Sequence, residues 1–198
     1  MEQVSAMYGI KMKSVILNKQ YFFDRFLSHA FDYVVFQEAI THPGDDKQAF
    51  LSEVKMHCDT AKQQRIPIIL FNPAWPDKDQ QEKMTAIYEQ AAKENGVLLA
   101  NAGDAWEYAC RKKTGLSLFQ EGSVYANDEG AYLTACVLSS MLFDLHIKDF
   151  PQNSLYTGAN ASLLGQAAWE SVSYYKSNGK YPTETVTVAP GKNNRINP

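Results

Sequence analysis

The sequence predicts an α/β fold, a three-layer α/β/α sandwich on a mostly parallel sheet. Three observations predict it. Short β-branched and aromatic runs alternate with longer amphipathic stretches. The short runs are apolar at successive positions, so both faces of the sheet meet apolar neighbours, as parallel sheets require. The 198 residues are enough to bury the core of one α/β domain.

Taken in order, KSVILN (Lys13–Asn18) reads as a strand and QYFFDRFLSHAF (Gln20–Phe31) as an aromatic-rich helix. DYVVFQEA (Asp32–Ala39) is a buried strand bounded by polar residues. Asp45 to Gln64 is an amphipathic helix, with Phe50, Val54, Cys58 and Ala61 on one stripe. PIILFNPAW (Pro67–Trp75) is a third strand, stopped by Pro73 and Pro76. Asp77 to Asn95 is a helix whose buried face carries Met84, Ile87, Tyr88 and Ala91, with Gly96 suited to its C-terminal cap. VLLANAG (Val97–Gly103) is the fourth strand. Helices follow at Asp104–Lys113, Glu129–Phe143 and Ala159–Tyr175. A single domain over 1–180 is expected, with an irregular tail over 181–198.

Nineteen basic against 22 acidic residues give a net charge of -3, which offers no attraction for nucleic acid or an anionic membrane. No apolar run is long enough to span a bilayer, and the start MEQVSAMYGIKMKSV lacks the parts of a signal peptide. The compartment stays open. Cys58, Cys110 and Cys136 form no CxxC pair; Cys58 and Cys136 read as buried, reduced thiols. No residue pattern calls for a cofactor. His29, His57 and His146 match no metal spacing and read as surface or internally satisfied residues.

In such sheets sites form beyond the carboxyl ends of the strands. That rule selects Gln37, Glu38, Thr41 and His42 after the second strand, Asn72 and Trp75 after the third, and Asn101 and Asp104 after the fourth. A second segment stands out: LFQEGSVYANDEGAYLTAC (Leu118–Cys136), a polar glycine-bearing loop that runs into an apolar helix.

DYVVFQEA, IPIILFNPAW, VLLANAGDAW and EGSVYANDEGAYLTACVLSSMLF, in that order, resemble the SGNH/GDSL hydrolase superfamily over roughly Asp32 to Phe143. The match is to a bacterial subgroup with DYVVLQE-like and DGSHAN..GAYL-like blocks. The resemblance implies an ester hydrolase, with carbohydrate O-acyl esters as one substrate class. It also implies a serine nucleophile on the loop after the first strand, an oxyanion-hole amide, and an Asp-x-x-His pair for proton transfer. The GAYL helix sets the register through Gly130, Ala131, Tyr132 and Leu133. Counting back, Ala126 and Asn127 match, Tyr125 stands at the histidine position and Gly122 at the aspartate position. A one-residue shift puts Glu121 at the acid position but supplies no histidine. A phenol is no base near neutral pH, and glycine has no group to orient one. Met1 falls inside the family's first helix, and Ser5 and Ser14 lack a glycine-rich elbow. No catalytic set is intact, so the expectation is an impaired hydrolase, or a chain whose serine segment lies upstream.

Alternatives remain beside this. Gln37 is either the oxyanion amide or the polar end of a strand, with Glu38 beside it. His42 is either a loop histidine or a substitute base for an active esterase. Trp75 either packs in the fold or lines a pocket rim. Tyr125 either fills the space of the lost histidine or bonds a ligand. Asn127 is a pocket residue or, with Asp128, an N-cap. A non-catalytic reading has Gln37, Glu38, Asn72 and Trp75 holding a glycan or a small acid. Without the family's first strand, two strands pair directly or an open edge invites a homodimer.

Overall fold

A computed structural model describes residues 12–16, 32–37, 46–146 and 156–184. The helix expected over Gln20–Phe31, together with Glu38 and His42, lies outside the described residues. The chain is mixed α/β. In order come β1 (Met12–Ile16), β2 (Tyr33–Gln37), α1 (Lys47–Gln63), β3 (Ile68–Asn72), α2 (Lys78–Asn95), β4 (Leu98–Asn101), α3 (Ala102–Lys112), α4 (Asp128–Phe143) and α5 (Ala161–Asn178). They fall into two compact units, one within Met1–Pro73 and Lys78–Ala100, the other within Ala74–Asp77 and Asn101–Pro198.

The first unit holds the sheet, whose strand order β1-β2-β3-β4 follows the chain. β1 and β2 are parallel, with Met12 opposite Tyr33 and Ile16 opposite Gln37. β2 and β3 are parallel, with Val34 opposite Ile68 and Phe36 opposite Leu70. β1 thus pairs directly with β2, the arrangement expected of a sheet with no strand between them. Because each step goes the same way, right-handed crossovers place α1 and α2 on one face; the two helices pack on each other, and α2 packs on β3. The Phe36 ring lies 5.4 Å from the His57 ring of α1, so that side of β2 looks at α1. Val35 points the opposite way and is only 5% exposed, so both faces of the sheet are covered.

The helices form for the reasons their sequences give. In α1 the stripe Phe50, Val54, Cys58 and Ala61 is buried, and Asp46 accepts from the Ala49 N–H at 2.9 Å as N-cap. His57 takes the interior position rather than the surface one, fully buried beside Phe36. α1 ends with Arg65 at φ 58, and the Ile66 N–H returns to the Ala61 carbonyl at 3.0 Å. In α2, Met84, Ile87, Tyr88 and Ala91 are buried, and Gly96 sits at φ 61 just past its end.

In the second unit α5 packs on both α3 and α4, and α3 packs on α4. Tyr108, Leu133, Val137, Met141, Leu164 and Val172 form its interior. A buried carboxylate crosses it: Glu170 accepts from Tyr108 Oη at 2.7 Å, from Gln166 Nε2 at 3.0 Å and from Lys112 Nζ. Burial works to raise the Glu170 pKa, but the hydrogen bonds from Lys112, Gln166 and Tyr108 and the Lys112 charge outweigh it and hold it below the ordinary carboxylate value. The start of the tail is tied down. Tyr181 is buried, stacks on Tyr175 at 4.8 Å and accepts the Asn101 N–H on its Oη at 3.0 Å. Arg111 donates to the Pro182 carbonyl at 2.8 Å. No helix among the described residues is long and apolar enough to cross a membrane.

Candidate functional site

The loop between α3 and α4 is a hairpin. Phe119 and Ala126 form an antiparallel bridge. The Gln120 N–H donates to the Tyr125 carbonyl at 2.9 Å, and Gln120 Nε2 donates to the Ala126 carbonyl at 3.0 Å. At the tip the Ser123 N–H donates to the Gln120 carbonyl at 3.1 Å, and Gly122 has φ 67. A four-residue turn with a left-handed third residue is what a type II turn requires, and it selects glycine. The Tyr125 N–H donates to Ser123 Oγ at 3.1 Å.

Asn127 joins this hairpin to α4. Its Oδ1 accepts the Gly130 N–H at 3.0 Å, which is N-capping; its Nδ2 donates to the Ser117 carbonyl at 2.8 Å and the Phe119 carbonyl at 3.3 Å. Below, the Phe119 ring lies 4.8 Å from Trp106, whose Nε1 donates to Thr134 Oγ1 at 3.1 Å. A side-chain carbon at Gly130 would run into the Leu118 carbonyl and the Trp106 ring. The glycine of the GAYL block is therefore a packing glycine that lets the loop lie on the helix start.

The residues matched to the acid and base positions take no part in an acid–base pair. Gly122 is the turn residue. Tyr125 is 60% exposed, so it fills no interior space and stands on the hairpin surface. Glu121, the alternative acid, is exposed on the turn.

Other predicted positions are dispersed. Gln37 and Asn72 end adjacent parallel strands in the first unit, as the strand-end rule expects. Gln37 is half-buried, whereas Asn72 is fully buried and its Nδ2 donates to Thr85 Oγ1 of α2 at 3.3 Å. Thr85 also receives Gln81 Nε2 at 3.2 Å, so this polar group is joined to α2. Trp75 is half-buried and belongs to the second unit. Asn101 is the N-cap of α3, accepting the Asp104 N–H at 3.2 Å.

No activated nucleophile is present among the described cysteines. Burial pushes the Cys58 thiol up to about 11 and the Cys136 thiol up to about 12. Cys110 is exposed, yet burial of its sulfur also raises its pKa. Of the described histidines, His57 is enclosed in the core and the His146 ring sits 5.1 Å from Trp169. No group of three His, Cys, Asp or Glu among the described residues could hold a metal ion.

The concave feature at the loop was not read from the sequence. Pro76, Ser117, Phe119, Gln120, Glu121, Gly122, Ser123 and Val124 line an open depression of about 780 Å³. The signal that could have found it is the Gln-Glu-Gly-Ser turn between apolar neighbours, a hairpin tip that presents polar groups on a fixed backbone. No family model matches the chain, and no curated protein or solved structure matches it.

Proposed function

We propose that this chain is an SGNH/GDSL-hydrolase-like α/β protein, related to ester hydrolases, whose acyl-transfer chemistry is impaired. The observation that carries this reading is the hairpin. At the position matched to the orienting acid stands a turn glycine at φ 67, and at the position matched to the base an outward tyrosine. Acyl transfer by a serine needs an imidazole within hydrogen-bond reach of the hydroxyl and a carboxylate that orients that imidazole. A phenol on the hairpin surface meets neither need. The parallel sheet and the order of the DYVVFQEA, PIILFNPAW and VLLANAGDAW blocks agree with the family resemblance. Among the described residues, Gln37 at the end of β2 is placed to serve as the amide donor for an oxyanion.

The test is hydrolysis of p-nitrophenyl acetate by the purified chain, run beside labelling with a fluorophosphonate probe. The expected result is turnover at the rate of buffer alone and no labelled serine. Turnover well above buffer that disappears with a single substitution, His42→Ala foremost, would replace this reading with an active esterase using an unusual base.

A further inference from the structure

We propose that Asn178–Gly179, at the end of α5, is a site of spontaneous covalent modification, where Asn178 closes to a succinimide that water opens to aspartate and isoaspartate. The inference does not rest on the hydrolase reading.

The first argument is chemical. Asparagine followed by glycine occurs twice in the sequence, at Asn95–Gly96 and Asn178–Gly179. Asparagine is a thermolabile residue, because the main-chain nitrogen of the next residue can attack its side-chain carbonyl carbon. Glycine puts no β-carbon in the way of that approach. At Asn178 the Gly179 nitrogen forms the new bond to Cγ, and its proton passes through solvent to Nδ2. The Cγ–Nδ2 bond breaks and ammonia leaves. One water then opens the five-membered ring. Cleavage at the side-chain carbonyl gives aspartate. Cleavage at the main-chain carbonyl gives isoaspartate, whose backbone runs through the side chain and is one methylene longer.

The second argument is what separates the two sites. Each asparagine is the last residue of its helix, and each glycine is left-handed, Gly96 at φ 61 and Gly179 at φ 71. Each side-chain amide donates one turn back, Asn95 Nδ2 to the Ala91 carbonyl and Asn178 Nδ2 to the Tyr174 carbonyl, both at 2.9 Å. Each glycine N–H is also engaged, by the Lys93 carbonyl at 3.3 Å and the Tyr175 carbonyl at 2.7 Å. Attack therefore waits for the last helical turn to open. At Asn95 that opening is opposed from several sides. Asn95 is 5% exposed, its carbonyl accepts Lys62 Nζ of α1 at 2.6 Å, the Val97 N–H donates to the Ala92 carbonyl at 3.0 Å, and β4 begins at Leu98. At Asn178 the whole run Lys176, Ser177, Asn178, Gly179 and Lys180 is exposed. Exposed helix ends fray at little cost, whereas an end packed inside opens only with the elements around it.

The third argument is consequence. Tyr175 lies before the altered link and Tyr181 after it, and the two rings stack at 4.8 Å. Tyr181 Oη accepts the Asn101 N–H at 3.0 Å, and Arg111 donates to the Pro182 carbonyl at 2.8 Å. A backbone lengthened at position 178 acts directly on this anchor of the tail. Both products also place a new negative charge at the C-terminal end of α5, where the helix dipole is already negative.

The experiment ages the full chain in mildly alkaline buffer made with ¹⁸O water and follows it by peptide mapping and by methyl labelling with an isoaspartyl methyltransferase. Asn178 is expected to become an ¹⁸O-labelled mixture of aspartate and isoaspartate about tenfold or more faster than Asn95, as a cheaper local opening requires. Asn178→Gln, which would have to close a six-membered ring, is expected to abolish the methyl label. Hydrogen exchange at the Asn101 amide is expected to be faster in the aged wild type than in the variant aged beside it. Three results would overturn the proposal: Asn178 intact after a free Ser-Asn-Gly-Lys peptide has been fully converted, Asn95 converting as fast as Asn178, or an acid at position 178 with no isoaspartate. Equal exchange at Asn101 in the two aged proteins would overturn the effect on the tail anchor.

Discussion

A side chain at Gly130 has no room. The Leu118 carbonyl and the Trp106 ring already occupy the space a β-carbon would take, and the first turn of α4 cannot retreat without releasing its Asn127 cap. Gly130→Ala is therefore expected to destabilise the chain by about 2 kcal/mol, as overpacking does, with the urea midpoint as readout. Glu170 makes the opposite kind of demand. Its folded pKa lies below its ordinary value of 4.5, so its contribution to stability is present in full above that value and is lost as the pH falls through the folded pKa. Wild-type stability should decline in this acid window, and Glu170→Gln should flatten the decline while lowering stability at neutral pH. Urea midpoints measured from pH 7 down to the acid limb decide it; equal acid slopes for the two proteins would remove Glu170 as the cause. The carboxylate is worth retaining because three donors converge on it, and Lys112 keeps 21% of its side chain exposed, so the pair is not stranded in the interior.

At the scale of elements, the hairpin and α4 act as one piece because Asn127 serves both. Asn127→Ala removes an N-cap and two donations to loop carbonyls, and a cost of about 1–2 kcal/mol is expected. Faster hydrogen exchange at the Gln120 and Gly130 amides should accompany it, and exchange unchanged at both would show that the cap is not what holds the loop. The same geometry predicts the outcome of a repair. Gly122→Asp combined with Tyr125→His would supply the residue types that the proposed hydrolase resemblance calls for, yet Asp would have to adopt φ 67 and the imidazole would stand on an exposed surface. No p-nitrophenyl acetate turnover is expected from the double variant. The polar, glycine-bearing loop is legible in the sequence, whereas the φ 67 turn that fixes its glycine is a property of the folded hairpin. Gly122 is the residue that a left-handed turn position at φ 67 selects.

At the scale of the molecule, the sheet is buried on both sides of β2. Val34 and Phe36 face one side of β2, Val35 the other, and all three are buried. Val35→Ala is expected to cost about 2 kcal/mol, close to Val34→Ala. A Val35→Ala penalty within a few tenths of zero would mean that the second face is open and the sandwich reading wrong. The sequential strand order adds a functional point. Ligand crevices in open parallel sheets arise where the strand order reverses, and the order β1-β2-β3-β4 has no reversal among the described strands. That agrees with Asn72 being drawn into hydrogen bonding with α2 instead of lining an open crevice.

Among the described residues, what the sequence determined by itself was the run of elements and the main apolar stripes that turn inward. Strand and helix positions follow from local pattern: the stripe Phe50, Val54, Cys58 and Ala61 is buried because it follows a 3.6-residue repeat, and the unbroken apolar run VVF is buried because successive side chains meet both faces of a covered sheet. Caps such as Asn127 are equally local. Tertiary structure alone decided the rest: that His57 goes inside against Phe36, that Tyr181 closes on Asn101 and Tyr175, that Tyr125 faces outward, and that Pro76 meets residues some forty positions later in one depression. Each of these depends on which segment lies across from which, a matter of packing between distant parts of the chain that no periodicity encodes.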